Sequence, residues 1–208
     1  MAEQTKQRRT RLSPEARRDQ ILEAALTVFG QDGFRDGSLQ DVAHEAGLTQ
    51  QGLLHYFPTK TDLLLATLDR WEHQASDEFG PGPEGNLIET GRAILRRNLR
   101  HVGVMRLRVV ISAEATSESH PAHARMMARY RATHDFWAAH VASGIERGIY
   151  ITDLHPSAVA DAMIGVLDGL QLQYLLRPEM DLIAAYDAAC EGLLVSRTGR
   201  ERDEHGRS

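Results

Sequence analysis

The chain has one cysteine, Cys190, in 208 residues. No intrachain disulfide can form, and a lone thiol fits a reducing, cytoplasmic setting. No apolar run approaches the ~18 residues that a membrane-spanning helix needs. The basic opening MAEQTKQRRTRLSPEARRDQ lacks the apolar stretch of a secretory signal. Period-two alternation is also missing. The run Val109-Val110-Ile111 is short and sits inside a segment of helical length, so an all-α fold is expected. There is no glycine-rich phosphate loop, no GxSxG and no HExxH, and the acidic residues are scattered, which argues against an enzyme. His120 and His123 stand three apart below Glu114 and Glu118. His120-Pro121 after the turn Ser117–Ser119 nevertheless reads as a surface helix start, so neither a metal nor a cofactor is assigned.

What is present is an ordinary globular composition, 42% hydrophobic and 25% charged, with a formal charge of -5. The charge is uneven. Lys6, Arg8, Arg9, Arg11, Arg17 and Arg18 face only Glu15 among residues 6–18, so a basic arm precedes an acidic body. An arm of that kind suits an anionic partner. Residues 1–60 as a whole are balanced, with as many Asp and Glu as Lys and Arg, so any such contact depends on local placement.

Helix signals follow one another. Ser13-Pro14-Glu15 starts a helix whose face carries Ile21, Ala25, Val28 and Phe29, and Gly30 and Gly33 are expected to end it. Ser38 with Asp41 forms a capping pair for a second helix bearing Leu39, Val42, Ala43 and Ala46, stopped by Gly47. Leu48 and Thr49 lead into a short helix, roughly 50–56, ended by Pro58. Thr59 with Asp62 caps a fourth, with Leu64, Leu68 and Trp71 on one face. GPGPEGN, residues 80–86, is the strongest break in the chain. Further helices are expected near 87–101, 104–117, 121–147, 156–176 and 181–196. The expected division is 1–60 as arm and DNA-binding unit and 61–208 as linking helix and regulatory unit.

A helix over 38–46, a tight turn and a short second helix make a helix-turn-helix, in which the second helix enters the major groove of DNA. Leu53 would face the core with Val42 and Ala43, leaving Gln50, Gln51 and His55 outside. A glutamine amide donates and accepts at once, which suits an adenine edge. Thr49, Tyr56 and Lys60 suit phosphates, and Gly52 permits close approach. Arg8, Arg9 and Arg11 would add phosphate or minor-groove contacts, and Ser38 completes the expected DNA-binding set.

ILEAALTVFGQDGF (Ile21–Phe34), SLQDVAHEAGLT (Ser38–Thr49) and GLLHYFPTKTDLL (Gly52–Leu64) resemble the DNA-binding domain of TetR-type repressors, over about a fifth of the chain. Two departures stand out. Leu54 occupies a position where the family usually has tyrosine, which removes a polar contact near the phosphates. Ser38-Leu39 replaces the common Thr/Ser followed by Ile or Met. The resemblance implies a homodimer. Each subunit would have three DNA-binding helices, a linking helix, and a C-terminal unit with a small-molecule cavity and a four-helix dimer seam. Ligand binding would move the linking helix, spread the two heads and release a palindromic operator. An activator, or a helical protein-interaction module without small-molecule control, is the alternative.

For the dimer seam, the expected residues are Ala162, Gly165, Val166, Gly169, Leu170 and Tyr174 of one helix and Tyr186, Ala189 and Leu193 of the next. Periodicity alone allows an internal core face as well, and the resemblance favours the seam. Expected cavity residues are Trp71, Met105, Met126, Tyr130, Trp137 and Met163, with Met127 and Phe136 as further wall candidates, since Met and aromatic side chains suit irregular apolar ligands. Arg96, Arg106, Arg108 and Glu114 are candidate polar anchors.

Overall fold

The structure, a computed structural model, describes residues 12–79 and 86–196. Arg8, Arg9, Arg11, residues 80–85 of the Gly-Pro break and the tail from 197 lie outside the described residues. Helix α1 (Pro14–Asp36) starts on Ser13, whose hydroxyl accepts from Ala16 N–H at 3.1 Å. It does not end at Gly30. The backbone leaves helical geometry at Gly33 (φ 80), a conformation that glycine adopts without a Cβ penalty. Gly30 stays helical because it is a crossing point. A Cβ there would meet the Gly103 carbonyl carbon at 3.2 Å, and one on Gly103 would meet the Gly30 oxygen at 2.6 Å.

Helix α2 (Leu39–Glu45) carries a complete capping box. Asp41 N–H donates to the Ser38 hydroxyl at 3.1 Å, and Ser38 N–H donates to the Asp41 carboxylate at 3.1 Å. Those bonds hold the Asp41 carboxyl below its ordinary pKa. Gly47 (φ 63) turns the chain, with Leu48 N–H donating to Ala43 C=O at 2.8 Å. Helix α3 (Gln50–Tyr56) follows, and then α4 (Lys60–Phe79), capped by Thr59 through Asp62 N–H at 3.0 Å.

Helices α5 (Leu87–Arg100) and α6 (Val102–Glu114) meet at a break at His101. The turn after α6 is tied to α7 (His123–Glu146) by the His123 imidazole, whose Nδ1 donates to Ala115 C=O at 2.8 Å. Helices α8 (Pro156–Leu176) and α9 (Leu182–Leu193) complete the fold. One departure from an unbroken helical pattern is the two-residue antiparallel pair of β1 (Tyr150–Ile151) with β2 (Val195–Ser196). Its register sets Tyr150 opposite Ser196.

Among the described residues two large apolar cores form, beside a small cluster of Leu26, Trp71 and Val104. The first joins Ile21, Phe29, Val42 and Leu53 to Leu64 and Leu68 of α4, and extends to Leu107 and Ile111 of α6. The second packs α5, α7, α8 and α9 around Trp137, Val141, Met163 and Tyr186. Tyr186, expected on the dimer seam, is a correction. It is fully buried with its ring against Gly91 of α5, where a Cβ would collide with the phenol. A side chain closed in by its own subunit has no surface to offer a partner.

Candidate nucleic-acid interface and the inner cavity

Helix α3 is only seven residues long, so propensity alone cannot hold it. It is held by its ends and one anchor. Thr49 accepts from Gly52 N–H at 3.1 Å, and Leu53 is fully buried in the first core. With Leu53 inward, Gln50, Gln51, Leu54 and His55 are exposed; the pairs 50/54 and 51/55 each share one side of the helix. Leu54 was not among the expected contacts, yet it stands 36% exposed in the middle of this polar face.

The flanking residues are placed differently. Tyr56 is half-buried against the first core, and its ring meets the His55 imidazole edge-on at 5.8 Å. Lys60 turns its ammonium back onto the head. Its Nζ donates to Arg35 C=O at 3.0 Å and lies 4.8 Å from the centre of the Phe34 ring. Arg18 lays its guanidinium over Phe57 at 5.1 Å, which brings the basic start of α1 beside the end of α3. Ser38 is occupied by its capping box. Gly52 is tight, since a Cβ would lie 3.3 Å from the Thr49 hydroxyl.

Helix α4 leaves this head and becomes a wall of a cavity of about 410 Å³. Ion pairs fasten it on both sides. Arg70 reaches Glu23 of α1 at 2.5 Å; Glu72 accepts from Arg125 at 2.9 Å and Arg129 at 2.8 Å, both from α7. Arg125 also bonds Asp69 at 2.6 Å.

Four of the expected cavity residues line it: Trp71, Tyr130, Phe136 and Trp137. Met105, Met126 and Met163 do not. All three are buried, Met126 within the first core and Met163 within the second. Flexible apolar side chains have filled gaps between helices there. Met127 is exposed, and Ile164 and Leu167 supply further apolar wall.

The polar lining was mostly missed. Asn98 donates to the Gln171 carbonyl oxygen at 2.7 Å, and the Gln171 amide donates to Leu167 C=O at 2.9 Å, joining α5 to α8. Their signal was a polar residue interrupting an apolar stripe, three after Leu95 and four after Leu167. Tyr130 donates to Asp168 at 2.6 Å, and burial followed by this bond raises its pKa, so the phenol keeps its proton. Of the four anchor candidates, Arg108 lines the cavity, Glu114 pairs with Arg35 at 3.1 Å, and Arg96 and Arg106 are exposed. Burial first, and then the neighbouring Arg129 charge, push the Arg108 pKa down to about 10. That guanidinium is still charged at neutral pH.

On the outer side of α8, Gly165 is exposed and Ala162, Val166, Gly169, Leu170 and Tyr174 are half-buried. A Cβ on Gly165, Gly169 or Gly192 would meet nothing within 4 Å. Leu172 and Leu176 are exposed on the same helix, the latter by 75%. Ala189 and Leu193 of α9 are half-buried. Among the described residues no helix is long and apolar enough to cross a membrane.

Residues 21–67 match the model for bacterial regulatory proteins of the tetR family. Over 72 residues the chain is 39% identical to the HTH-type transcriptional regulator LuxR of Vibrio harveyi, a match spanning 35% of each protein. Only about a third of that relative's length is therefore represented. The HTH-type transcriptional regulator TtgR of Pseudomonas putida is 26% identical over 187 residues, 85% of this chain and 89% of that protein. The crystal structure of a TetR transcription regulator from Haloarcula marismortui superposes with a TM-score of 0.72 at 20% identity. It covers 86% of this chain and 99% of its own, and shows a shared fold.

Proposed function

Since the chain belongs to the tetR family of bacterial regulatory proteins, we propose that it is a dimeric, ligand-released repressor of transcription. Its unit 1–60 reads a palindromic operator, and its unit 61–208 carries the linking helix, the dimer seam and the effector cavity. The observation that carries this reading is the outer face of α3. A helix too short to persist alone is pinned by Thr49 and Leu53 so that Gln50, Gln51 and His55 face outward together. Such a face has no use in packing and suits base edges in a major groove. Leu54 adds an apolar surface of the kind that fits a thymine methyl. Thr49, Gly52, Ser38, Tyr56 and the arm residues Arg8, Arg9 and Arg11 position this face on the backbone. Lys60 joins them by giving up its bond to Arg35.

The half-buried outer stripe of α8, with Ala189 and Leu193 of α9, is where a second copy packs. Two heads then sit in successive major grooves. Because α4 runs from the head into the cavity wall, a ligand that repositions Trp71 or Glu72 changes head spacing. The coupling is a difference in operator affinity between two conformations.

The test is selection of bound duplexes from a random library by the purified protein at near-physiological salt. An enriched inverted repeat is expected, with half-sites about one helical turn or somewhat more apart. A folded protein that enriches nothing, with and without a panel of small molecules, contradicts the reading and favours a protein-interaction module.

A further inference from the structure

The cavity lining is not electrically balanced. Arg97, Arg108 and Arg129 reach it, against Glu72 and Asp168. Both carboxylates are engaged. Glu72 holds Arg125 and Arg129, and Asp168 accepts the Tyr130 proton donor. Arg97 lies 3.4 Å from the centre of the Trp71 ring and donates to Trp71 C=O at 3.1 Å. Arg108 differs. Among the described residues it makes no hydrogen bond and no ion pair, and it feels Glu72 and Asp168 only through space. The strongest charge acting on it is that of Arg129, which repels it.

A guanidinium has five donors and no acceptor, and leaving it unpaired away from water is costly. A neutral ligand filling the cavity would strip solvent from Arg108 and return nothing. A cation would add repulsion. An acidic group with two coplanar or clustered oxygens matches the donor fork. The remaining wall, Trp137, Phe136, Ile164 and Leu167, suits a flat apolar body.

We propose that the effector is an amphipathic anion, with an apolar, ring-sized body between α7 and α8 and one acidic group seated on Arg108. This rests on the reading of the cavity as the effector site. The same arrangement indicates how occupancy reaches the head. An acidic group on Arg108 lies beside Arg129 and competes with Glu72 for it. Glu72 belongs to α4, so binding weakens one of the ion pairs that tie the linking helix to α7.

A matched pair of fluorescent probes tests the charge claim on the full-length protein. One is 8-anilino-1-naphthalenesulfonate; the other, N-phenyl-1-naphthylamine, has the same rings without the sulfonate. The sulfonate probe is expected to bind more tightly. Arg108→Gln should weaken it by about 10- to 100-fold and leave the neutral probe unchanged, as expected for loss of a charge-assisted bond. Arg108→Lys should retain much of the preference, and Arg108→Met serves if the glutamine variant does not fold. Equal affinity for the two probes, or a sulfonate preference that survives loss of Arg108, overturns the proposal and leaves the cavity reading standing. If neither probe binds, or if Ile164→Trp, which fills the cavity, fails to abolish binding of both, the cavity reading fails and this proposal with it.

Discussion

The three-helix head and the cavity-bearing half both bury apolar helix faces, but they are held in different ways. The head caps its helices with the side chains of Ser13, Ser38 and Thr49, each bonding a backbone N–H three residues ahead. Its helix-end bonds are local, and its outward face is what remains after Leu53 turns inward. The other half uses helices brought together at a glycine and at polar pairs far apart in sequence. Examples are Tyr186 on Gly91, Asn98 with Gln171, and Glu72 with Arg129. Locally specified structure suits a rigid reader. Structure assembled from distant pairs has more than one way to settle, which suits a part that responds to a ligand.

The largest expected effect breaks the head. Leu53→Ala removes a fully buried side chain from a small core and should cost about 2–5 kcal/mol. Because Leu107 and Ile111 share that core, the loss should lower the melting midpoint of the whole chain. A melt in which the head unfolds early while the rest keeps its wild-type midpoint would show the two regions to be energetically separate.

Next come two glycine substitutions that should differ in sign. Gly103→Ala pushes a methyl against the Gly30 carbonyl of α1 and should destabilise by about 1–3 kcal/mol. Gly165→Ala meets nothing within its own subunit and should raise helix stability by up to about 1 kcal/mol. If α8 is the seam, the same substitution should weaken the dimer in sedimentation equilibrium. An unchanged dimer would take Gly165 out of the seam.

On DNA, Gln50→Ala should cost about 1–3 kcal/mol on the selected operator and little on random duplex. Equal losses on both would make Gln50 a positioning group. Lys60→Ala should weaken all duplexes alike and reduce the salt slope by about one. An unchanged slope would confine its ammonium to Arg35 and Phe34.

The smallest effect concerns acid. The Asp41 pKa is depressed in the folded state by Ser38, from an ordinary 3.8. Its stabilisation is therefore fully present above that value and is lost as pH falls through the lower, folded-state pKa. Urea midpoints of wild type and Asp41→Asn should differ at pH 7 and converge in strong acid. A constant difference would assign the effect of Asp41 to something other than its charge.

The outer face of α3 was legible because capping and turn signals act over three or four residues. Ser38-Asp41, Gly47 and Thr49 announce where helices begin and end whatever lies elsewhere. The break of α1 was misread by one glycine. Gly30 and Gly33 look alike in sequence, and only the approach of Gly103 gives Gly30 a packing role inside the helix. Tyr186 failed for a related reason. An apolar stripe has the same period whether it meets its own core or a second subunit, and here Gly91 opened a place for it inside.

By itself, then, the amino-acid order determined the helical class, the capped helix starts at Ser13, Ser38, Thr49 and Thr59, and the outer face of α3, because hydrogen bonds between near neighbours dictate them. Which aromatics line the cavity, and which arginine there makes no ion pair among the described residues, was decided only by tertiary packing. Trp71, Arg108, Arg129 and Asp168 come from four different helices, and no spacing along the chain encodes their meeting.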